Sequence, residues 1–503
     1  VDDAQAVPLS HEAELIAWLA ARSERVIDTA CAHVFLAGET ALKVKRHADL
    51  GYVDFRTAET RRWALERELA FNKAAAPDIY RRLRRVTREA DGGLAFDGAG
   101  ETLDYALEMR RFADEAVLAA RPQDVDGELA EALGRTVAAL HAAAELRPEG
   151  GWSALAFTVG SNAELLRELA GKLDLARVEI LIALTEAELA RQGPRLKARA
   201  AAGFARRCHG DLHLGNILVE NGRPILFDCI EFNDLLSDLD VLYDLAFLLM
   251  DLDFRGRRDV GVRVLSAYLD EAARSFPETL WEGLAALPLM LAVRAGVRAH
   301  VQAHSGDLAG ARAYVEAGIA HLSPAPPLLA AVGGLSGSGK STVSRGIAPG
   351  LGASPGAVVL RTDEIRKRLL GVAPTQPVDR ALYTPEFYIR TYDALFDDAR
   401  ALLQAGRAVV LDATFLDPAL RARAERLAAA CGVPFEGLWL DAPAEVLEAR
   451  VAARTGDASD ATVEVLHEQM AQLARAPVGW RRLDTAGDLA AAAQAWLSQR
   501  RPR

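Results

Sequence analysis

The sequence predicts an α+β unit followed, in the same chain, by an α/β unit with a parallel sheet, and three observations carry that expectation. With 503 residues the chain is too long for one ordinary core, at roughly 100–200 residues per domain. Ahead of residue 323, short β-like runs at 33–36 and 41–44 give way to Ala- and Leu-rich stretches of helical period, such as 128–145 and 162–173. Beyond it, strand-like and helix-like segments alternate: 328–332 before a helix from Lys340, 357–360 before one from Asp363, 408–411 before one from Pro418, and 435–440 before one from Ala444. Alternation of that kind marks a parallel sheet with crossover helices.

The break between the units is placed at Ser323-Pro324-Ala325-Pro326-Pro327, where closely spaced prolines forbid a helix and favour extended backbone. The expected division is therefore 1–322, a proline-rich linker 323–327, and 328–503. A linker so short and stiff predicts a limited range of mutual orientations.

Half of the residues are apolar and 26% are charged, the composition of a folded globular chain. Cys31, Cys208, Cys229 and Cys431 are scattered without a C-x-x-C pair, which argues against a zinc site or a disulfide framework. No basic-then-apolar leader opens the sequence, and the apolar stretches at 241–250 and 283–293 fall short of the ~20 residues that span a bilayer. The expectation is a cytoplasmic protein without a membrane partner. The net charge of −11 is uneven: from Ser323 onward 21 Lys+Arg stand against 20 Asp+Glu, which leaves −12 on the residues before. Nucleic acid is thus a poor partner for the first unit and an open question for the second.

In the first unit, Cys208-His209-Gly210-Asp211-Leu212-His213-Leu214-Gly215-Asn216 precedes a strand-like run, an Asn221-Gly222 turn, and a second run ending in Asp228. Phosphoryl transfer needs one carboxylate to orient or deprotonate the acceptor hydroxyl, and an amide oxygen with a second carboxylate to hold Mg²⁺ on the nucleotide phosphates. Asp211 is assigned to the hydroxyl, and Asn216 and Asp228 to the metal. In Thr40-Ala41-Leu42-Lys43-Val44-Lys45 either lysine can reach the phosphates, because residues two apart on a strand face the same way. Glu66 and Glu68 are the candidate partners on the helix that begins near Arg61. The acids Glu231, Asp234, Asp238 and Asp240 predict a preference for a cationic or neutral polyhydroxyl acceptor.

In the second unit, Gly334-Leu335-Ser336-Gly337-Ser338-Gly339-Lys340-Ser341 matches G-x-x-x-x-G-K-[ST] after an apolar strand and at the opening of a helix. Gly334, Gly337 and Gly339 let the backbone wrap the phosphates of ATP, and Lys340 reaches the β- and γ-phosphates. Ser341 ligates Mg²⁺, with Thr342 beside it in the first helical turn. Asp363 stands at a strand end with Arg366 one turn on, where the acid can take a hydroxyl proton and the arginine can hold a substrate phosphate. Asp412 closes a further strand, at the place of a second metal-side acid. Arg450, Arg454 and the run 456–460 read as a mobile lid bringing arginines over the transferred group.

The first unit's loop resembles the catalytic loop of aminoglycoside phosphotransferases and of the choline- and protein-kinase-like folds around them. That resemblance implies a bilobal protein-kinase-like domain, Lys43 as the strand lysine, Glu66 as its partner, and Asp244 as a brace of the catalytic loop. It also implies a hinge over 105–109, with backbone near Met109 reading the adenine. No G-x-G-x-x-G is present. The second unit resembles polynucleotide-kinase-like and small-metabolite P-loop kinases, through its P-loop and the D-x-x-R element. Together the units resemble a bacterial family of fused proteins in this order.

Three functions are therefore open: a bifunctional ATP-dependent phosphotransferase acting on small hydroxyl acceptors, a nucleotide-sensing regulator with one active kinase unit, and a 5′-hydroxyl polynucleotide kinase in the second unit. In the last, Arg366, Lys367 and Arg368 would grip the strand. Acceptor-side acids favour catalysis over sensing, since a sensor needs only the phosphate cradle.

Overall fold

Alternating residues of one strand feed two different cores in the first part of the computed structural model, which describes residues 11–29, 31–49, 54–382, 384–453, 458–473 and 478–500. Packing gathers these residues into two compact units, one up to Pro122 with Cys208–Asp238, the other of Gln123–Arg207 with Leu239 onward. The first holds α1 (His11–Ala20), α2 (Ala58–Ala75) and an antiparallel sheet. The sheet order is β1 (Arg25–Asp28), β2 (Ala32–Ala37), β3 (Thr40–Lys45), β6 (Glu101–Arg110), β4 (Tyr80–Arg88), β5 (Leu94–Phe96). On β6, Ala106 packs with Leu15 and Leu19 of α1, while its neighbour Leu107 packs with Leu65 of α2, as a period of two requires.

Helix α2 begins where the Thr57 side chain accepts the Thr60 N–H, with Glu59 in the first turn facing the positive end of the helix dipole. The hairpin of β8 (Ile217–Glu220) and β9 (Arg223–Leu226) turns at Asn221 and Gly222, both at positive φ (51° and 72°), as a two-residue turn between twisted strands demands.

The second unit opens with helices α3 (Gly127–Ala143), α4 (Trp152–Glu168), α5 (Leu175–Arg199), α6 (Val241–Phe254), α7 (Arg258–Ala272), α8 (Leu287–His304) and α9 (Leu308–His321), with the short β7 (Ala205–Arg207) and β10 (Asp238–Asp240) among them. Helix α4 starts ten residues before the expected 162. The stretch Glu278–His304 is long and apolar enough to cross a bilayer, beyond what 283–293 alone suggests, but 78% of its apolar window is buried inside the protein. It is a core helix by packing.

The same unit contains a five-stranded parallel sheet of order β12 (Val358–Arg361), β13 (Val409–Asp412), β11 (Leu329–Gly334), β14 (Phe435–Asp441), β15 (Arg481–Asp484). Around it lie α10 (Lys340–Ile347), α11 (Thr362–Leu369), α12 (Pro385–Gln404), α13 (Pro418–Ala430), α14 (Ala444–Ala452), α15 (Val463–Leu473) and α16 (Leu489–Arg500). Strand β12 is an edge, and α7 covers it: the Val359 N–H donates to Ser266 Oγ at 3.1 Å, and Val262 joins the core of Val359, Val343 and Trp496. Arg258 donates to Pro355 O at 3.0 Å and Ser354 Oγ to Asp253 at 2.7 Å. Packing thus groups the residues differently from the division at 323–327, because the edge strand takes its cover from a helix upstream of the prolines. Residues 324–327 form neither helix nor strand.

Candidate active sites

In the first unit, strand β3 turns two lysines to the same side, where α2 presents one glutamate between them. Lys43 Nζ donates to Glu68 Oε1 and to Asp228 Oδ1, both at 2.7 Å. Lys45 Nζ donates to the other oxygen, Glu68 Oε2, at 2.7 Å, and to Glu231 Oε1 at 2.6 Å. Burial alone would drive Lys43 toward neutrality, but Asp228, Glu68 and Glu231 outweigh it and hold its pKa well above the ordinary lysine value. Glu68 is likewise opposed by burial, and Lys43 and Lys45 hold its carboxyl down to about 2.

The partner of Lys43 is therefore Glu68, not Glu66. Glu66 lies half-exposed on the far side of α2 and pairs with Arg62 at 3.0 Å. Two residues on a helix subtend about 200°, so only one of the pair can face the sheet.

The segment carrying Asp228 is fastened to α2 and β4. The Asp228 N–H donates to Tyr80 Oη at 3.0 Å, the Cys229 N–H to Asn72 Oδ1 at 2.9 Å, and Arg67 Nε to Glu231 O at 2.8 Å. Asp228 itself sits at φ 63°, a left-handed conformation uncommon outside glycine and the kind of local strain found at functional sites. In the loop before it, buried His209 donates from Nε2 to Phe227 O at 2.9 Å, so its Nδ1 is left to accept the Asp211 N–H at 3.3 Å. Asn216 Nδ2 donates to Asp211 O and to Asp211 Oδ2, both at 2.9 Å, which holds the Asp211 carboxylate and commits the amide nitrogen, leaving Oδ1 as the donor atom for a metal.

Three acids of the 231–240 run spend their charge on ion pairs rather than on a pocket: Glu231 on Lys45, Asp234 on Arg67, and Asp240, in the second unit, on Arg199 at 2.7 Å. Asp244, also in the second unit, is fully buried and bonded to His141 Nε2 at 3.0 Å. Met109 lies one residue before the end of β6, flanked by Ala41 and Tyr80, and the N–H groups of Arg110 and Arg111 are taken by Ile79 O and Glu39 O. The N–H groups of the two residues after Met109 are thus spent inside the protein.

In the second unit, β11 runs into the loop at 335–339 and α10 starts at Lys340. Gly337 (φ 81°) and Gly339 (φ 86°) adopt left-handed backbone, and a Cβ on Gly337 would stand 2.5 Å from Leu447 O. Lys340 Nζ donates to Leu335 O at 3.0 Å, across the loop it belongs to. The register of the parallel sheet sets Asp412 beside Val332 and Arg361. There it is buried and receives a hydrogen bond from the Ser341 hydroxyl. Burial pushes its carboxyl up, against the pull of Arg361 and Lys340.

Asp363 Oδ1 accepts from Arg366 Nη1 at 2.9 Å. Gly337, Gly339, Lys340, Ser341, Thr342, Asp363, Arg366, Asp412 and Arg450 line one cavity of about 860 Å³, with Tyr388 and Tyr392 as an aromatic wall absent from the sequence expectation. Gly334 lies at the strand end before it, where a Cβ would meet Ser338 Oγ at 2.6 Å. Arg450 donates to the carbonyls of Ala486 and Gly487. Arg454 and residues 456 and 457 lie outside the described residues. Lys367 is buried against Asp460 at 3.0 Å, and Arg368 pairs with Asp270 at 3.0 Å and Asp398 at 2.5 Å. Of the basic triplet only Arg366 lines the cavity.

Comparison with known proteins matches residues 52–287 to the phosphotransferase enzyme family and residues 329–476 to an AAA domain. An uncharacterized protein of Mycobacterium tuberculosis is 33% identical over 483 residues, 92% of this chain and 92% of that protein. The adenylyl-sulfate kinase of Myxococcus xanthus is 36% identical over 118 residues, 23% of this chain and 59% of the relative. A gluconokinase structure from Sinorhizobium meliloti aligns at 25% identity and a TM-score of 0.25, covering 35% of this chain and 93% of that one.

Proposed function

The chain belongs to the family of fused proteins, shared with its full-length mycobacterial relatives, that join a phosphotransferase-enzyme-family domain to an AAA-type P-loop domain, and on that premise we propose that it moves the γ-phosphoryl group of ATP to hydroxyl acceptors at two separate sites. The observation that carries this reading is a repeated division of labour. Each unit has a lysine, a metal-side acid and a second acid on a different loop: Lys43, Asp228 and Asp211 in one, Lys340, Asp412 and Asp363 in the other.

Asp211 and Asp363 orient and accept the proton of the acceptor hydroxyl. Lys43 and Lys340 contact the nucleotide phosphates, and the backbone of 334–342 cradles them. Arg366 holds an anionic or polar group of the second acceptor. Mg²⁺ would supply charge neutralisation at the nucleotide phosphates. The donor sets that would hold it are Asn216 with Asp228 and Ser341 with Asp412, all hard oxygen donors of the kind it prefers.

Small hydroxylated metabolites fit better than a polynucleotide, because Lys367 and Arg368 are committed to internal carboxylates. The test is a transfer screen from γ-labelled ATP with the full chain against sugars, aminoglycosides, nucleosides and 5′-hydroxyl oligonucleotides, repeated with Asp211→Asn and Asp363→Asn. Each acceptor is expected to depend on one acid alone. Acceptors that survive both substitutions would overturn the assignment.

A further inference from the structure

From Asp412 outward, buried and then partly buried charges alternate in sign until they reach a helix more than 200 residues upstream. Asp412 Oδ2 accepts Arg361 Nε at 3.3 Å, and Arg361 Nη1 donates to Glu364 Oε1 at 2.9 Å. Arg345, on the P-loop helix α10, lies 3.6 Å from that same Glu364 oxygen but 2.6 Å from Glu131 Oε1 on α3. Glu131 is in turn flanked by Arg135 at 3.2 Å and Arg263 at 3.3 Å. Arg361 and Asp412 are each 4% exposed, so water does little to screen their mutual interaction.

The distances rank the pairings. Charge-assisted bonds run about 2.7–2.9 Å, so Arg345 is held by Glu131, Arg361 by Glu364, and the contact of Arg361 with Asp412 is the weak one. Were Glu131 uncharged, Arg345 would turn to Glu364, and Arg361, its hold on Glu364 weakened, would close on Asp412. A carboxylate neutralised by a bidentate arginine is a poorer ligand for a divalent cation.

Resting on the reading that Asp412 serves the metal of the P-loop site, we propose that Glu131, in the phosphotransferase-family part of the chain, is a positioning residue for the second site: through Arg345, Glu364 and Arg361 it keeps Asp412 available to the cation. The fusion then has a chemical consequence. A side chain of one family's domain sets the metal affinity of the other's site, through a helix packed in the same compact unit.

The experiment uses the full chain and Mn²⁺ as probe, with the non-hydrolysable analogue AMP-PNP present. Bound metal is counted by loss of the free-ion paramagnetic resonance signal, and the P-loop site is defined as the fraction lost in Lys340→Ala. Glu131→Gln should raise the Mn²⁺ concentration for half-saturation of that fraction by about fivefold, the size of a coupling within one salt-bridge network, while nucleotide affinity at saturating metal changes less than about twofold. Adding Arg345→Met, which removes the competitor for Glu364, should restore the wild-type midpoint. Ser266→Ala loosens the same interface without touching the charges and should leave the midpoint unmoved. An unchanged midpoint in Glu131→Gln, no restoration by Arg345→Met, or an equal shift in Ser266→Ala would each overturn the proposal. If Lys340→Ala removes no metal at all, it is the P-loop reading that fails.

Discussion

Lys45 and Glu231 form a 2.6 Å ion pair in which both side chains are almost wholly excluded from water, directly behind the Lys43–Glu68 pair. Burial penalises the Lys45 ammonium, but Glu68 and Glu231 prevail and raise its pKa. The second lysine is thus a brace. It holds one oxygen of Glu68 so that the other meets Lys43, and it ties α2 to the segment that follows Asp228.

Removing that brace should be asymmetric. Lys45→Met leaves Glu231 buried without a counter-charge and should destabilise the first unit by about 3–5 kcal/mol. Glu231→Gln leaves Lys45 still bonded to Glu68 and should cost about 1–3 kcal/mol. Urea unfolding followed by hydrogen exchange in peptides from β3 and α2 measures both. Equal losses would refute the brace.

Glu68 should make the first unit acid-sensitive in a defined window. Its folded pKa of about 2 lies below the ordinary 4.5, so the unfolded state binds the extra proton between those values. Its contribution is therefore fully present above pH 4.5 and is lost as pH falls toward 2. A shift of that size corresponds to on the order of 3 kcal/mol. The deficit of Glu68→Gln against wild type, measured at pH 7 and again at pH 3, should shrink. A deficit independent of pH would contradict the ion-pair account.

Gly337→Ala should weaken nucleotide binding at the P-loop site without unfolding the unit. The new Cβ meets Leu447 O at 2.5 Å and the residue must hold φ 81°, which costs an L-residue about 1–2 kcal/mol. Either the loop shifts off its phosphate-binding shape or α14 retreats. Calorimetric ATP binding to the Lys340-dependent site should weaken by about tenfold, the equivalent of about 1.4 kcal/mol. Unchanged affinity would mean that the loop tolerates another shape.

Val262→Ala tests whether α7 belongs to the parallel sheet's core. Two buried methyl groups are lost, at about 2 kcal/mol. The effect should appear as faster hydrogen exchange in β12 and α10, although residue 262 lies upstream of the proline run. Exchange confined to the helices between 123 and 321 would show that the sheet is stable by itself.

At the proposed second site, Asp363→Asn should lower transfer to its acceptor by about 10²–10⁴ while leaving ATP affinity within a few-fold. Lys340→Ala should weaken both, because the lysine contacts the ground-state phosphates as well as the transition state. If both variants lose only affinity, Asp363 is a binding group.

What the sequence determined by itself is whatever a short stretch of chain decides. The mixed α+β and α/β class follows from local periodicity. The turn at Asn221-Gly222 and the glycine-rich loop before Lys340 follow from residues adjacent in the chain, because backbone conformation depends on near neighbours. Helix α4 was legible only in its second half, since its first half gathers Trp152, Phe157, Thr158, Val159 and Gly160, residues of low helix propensity. The tertiary structure alone decided the rest. Glu66 and Glu68 are equal on paper, and only the seating of α2 on the sheet turns one to Lys43 and the other to water. Lys367 and Arg368 read as a basic patch until packing sets Asp460, Asp270 and Asp398 against them. Glu131 carries no local signal, because electrostatic partnership depends on distance through space, and about two hundred residues of chain separate it from Arg345 on α10 until folding brings them together.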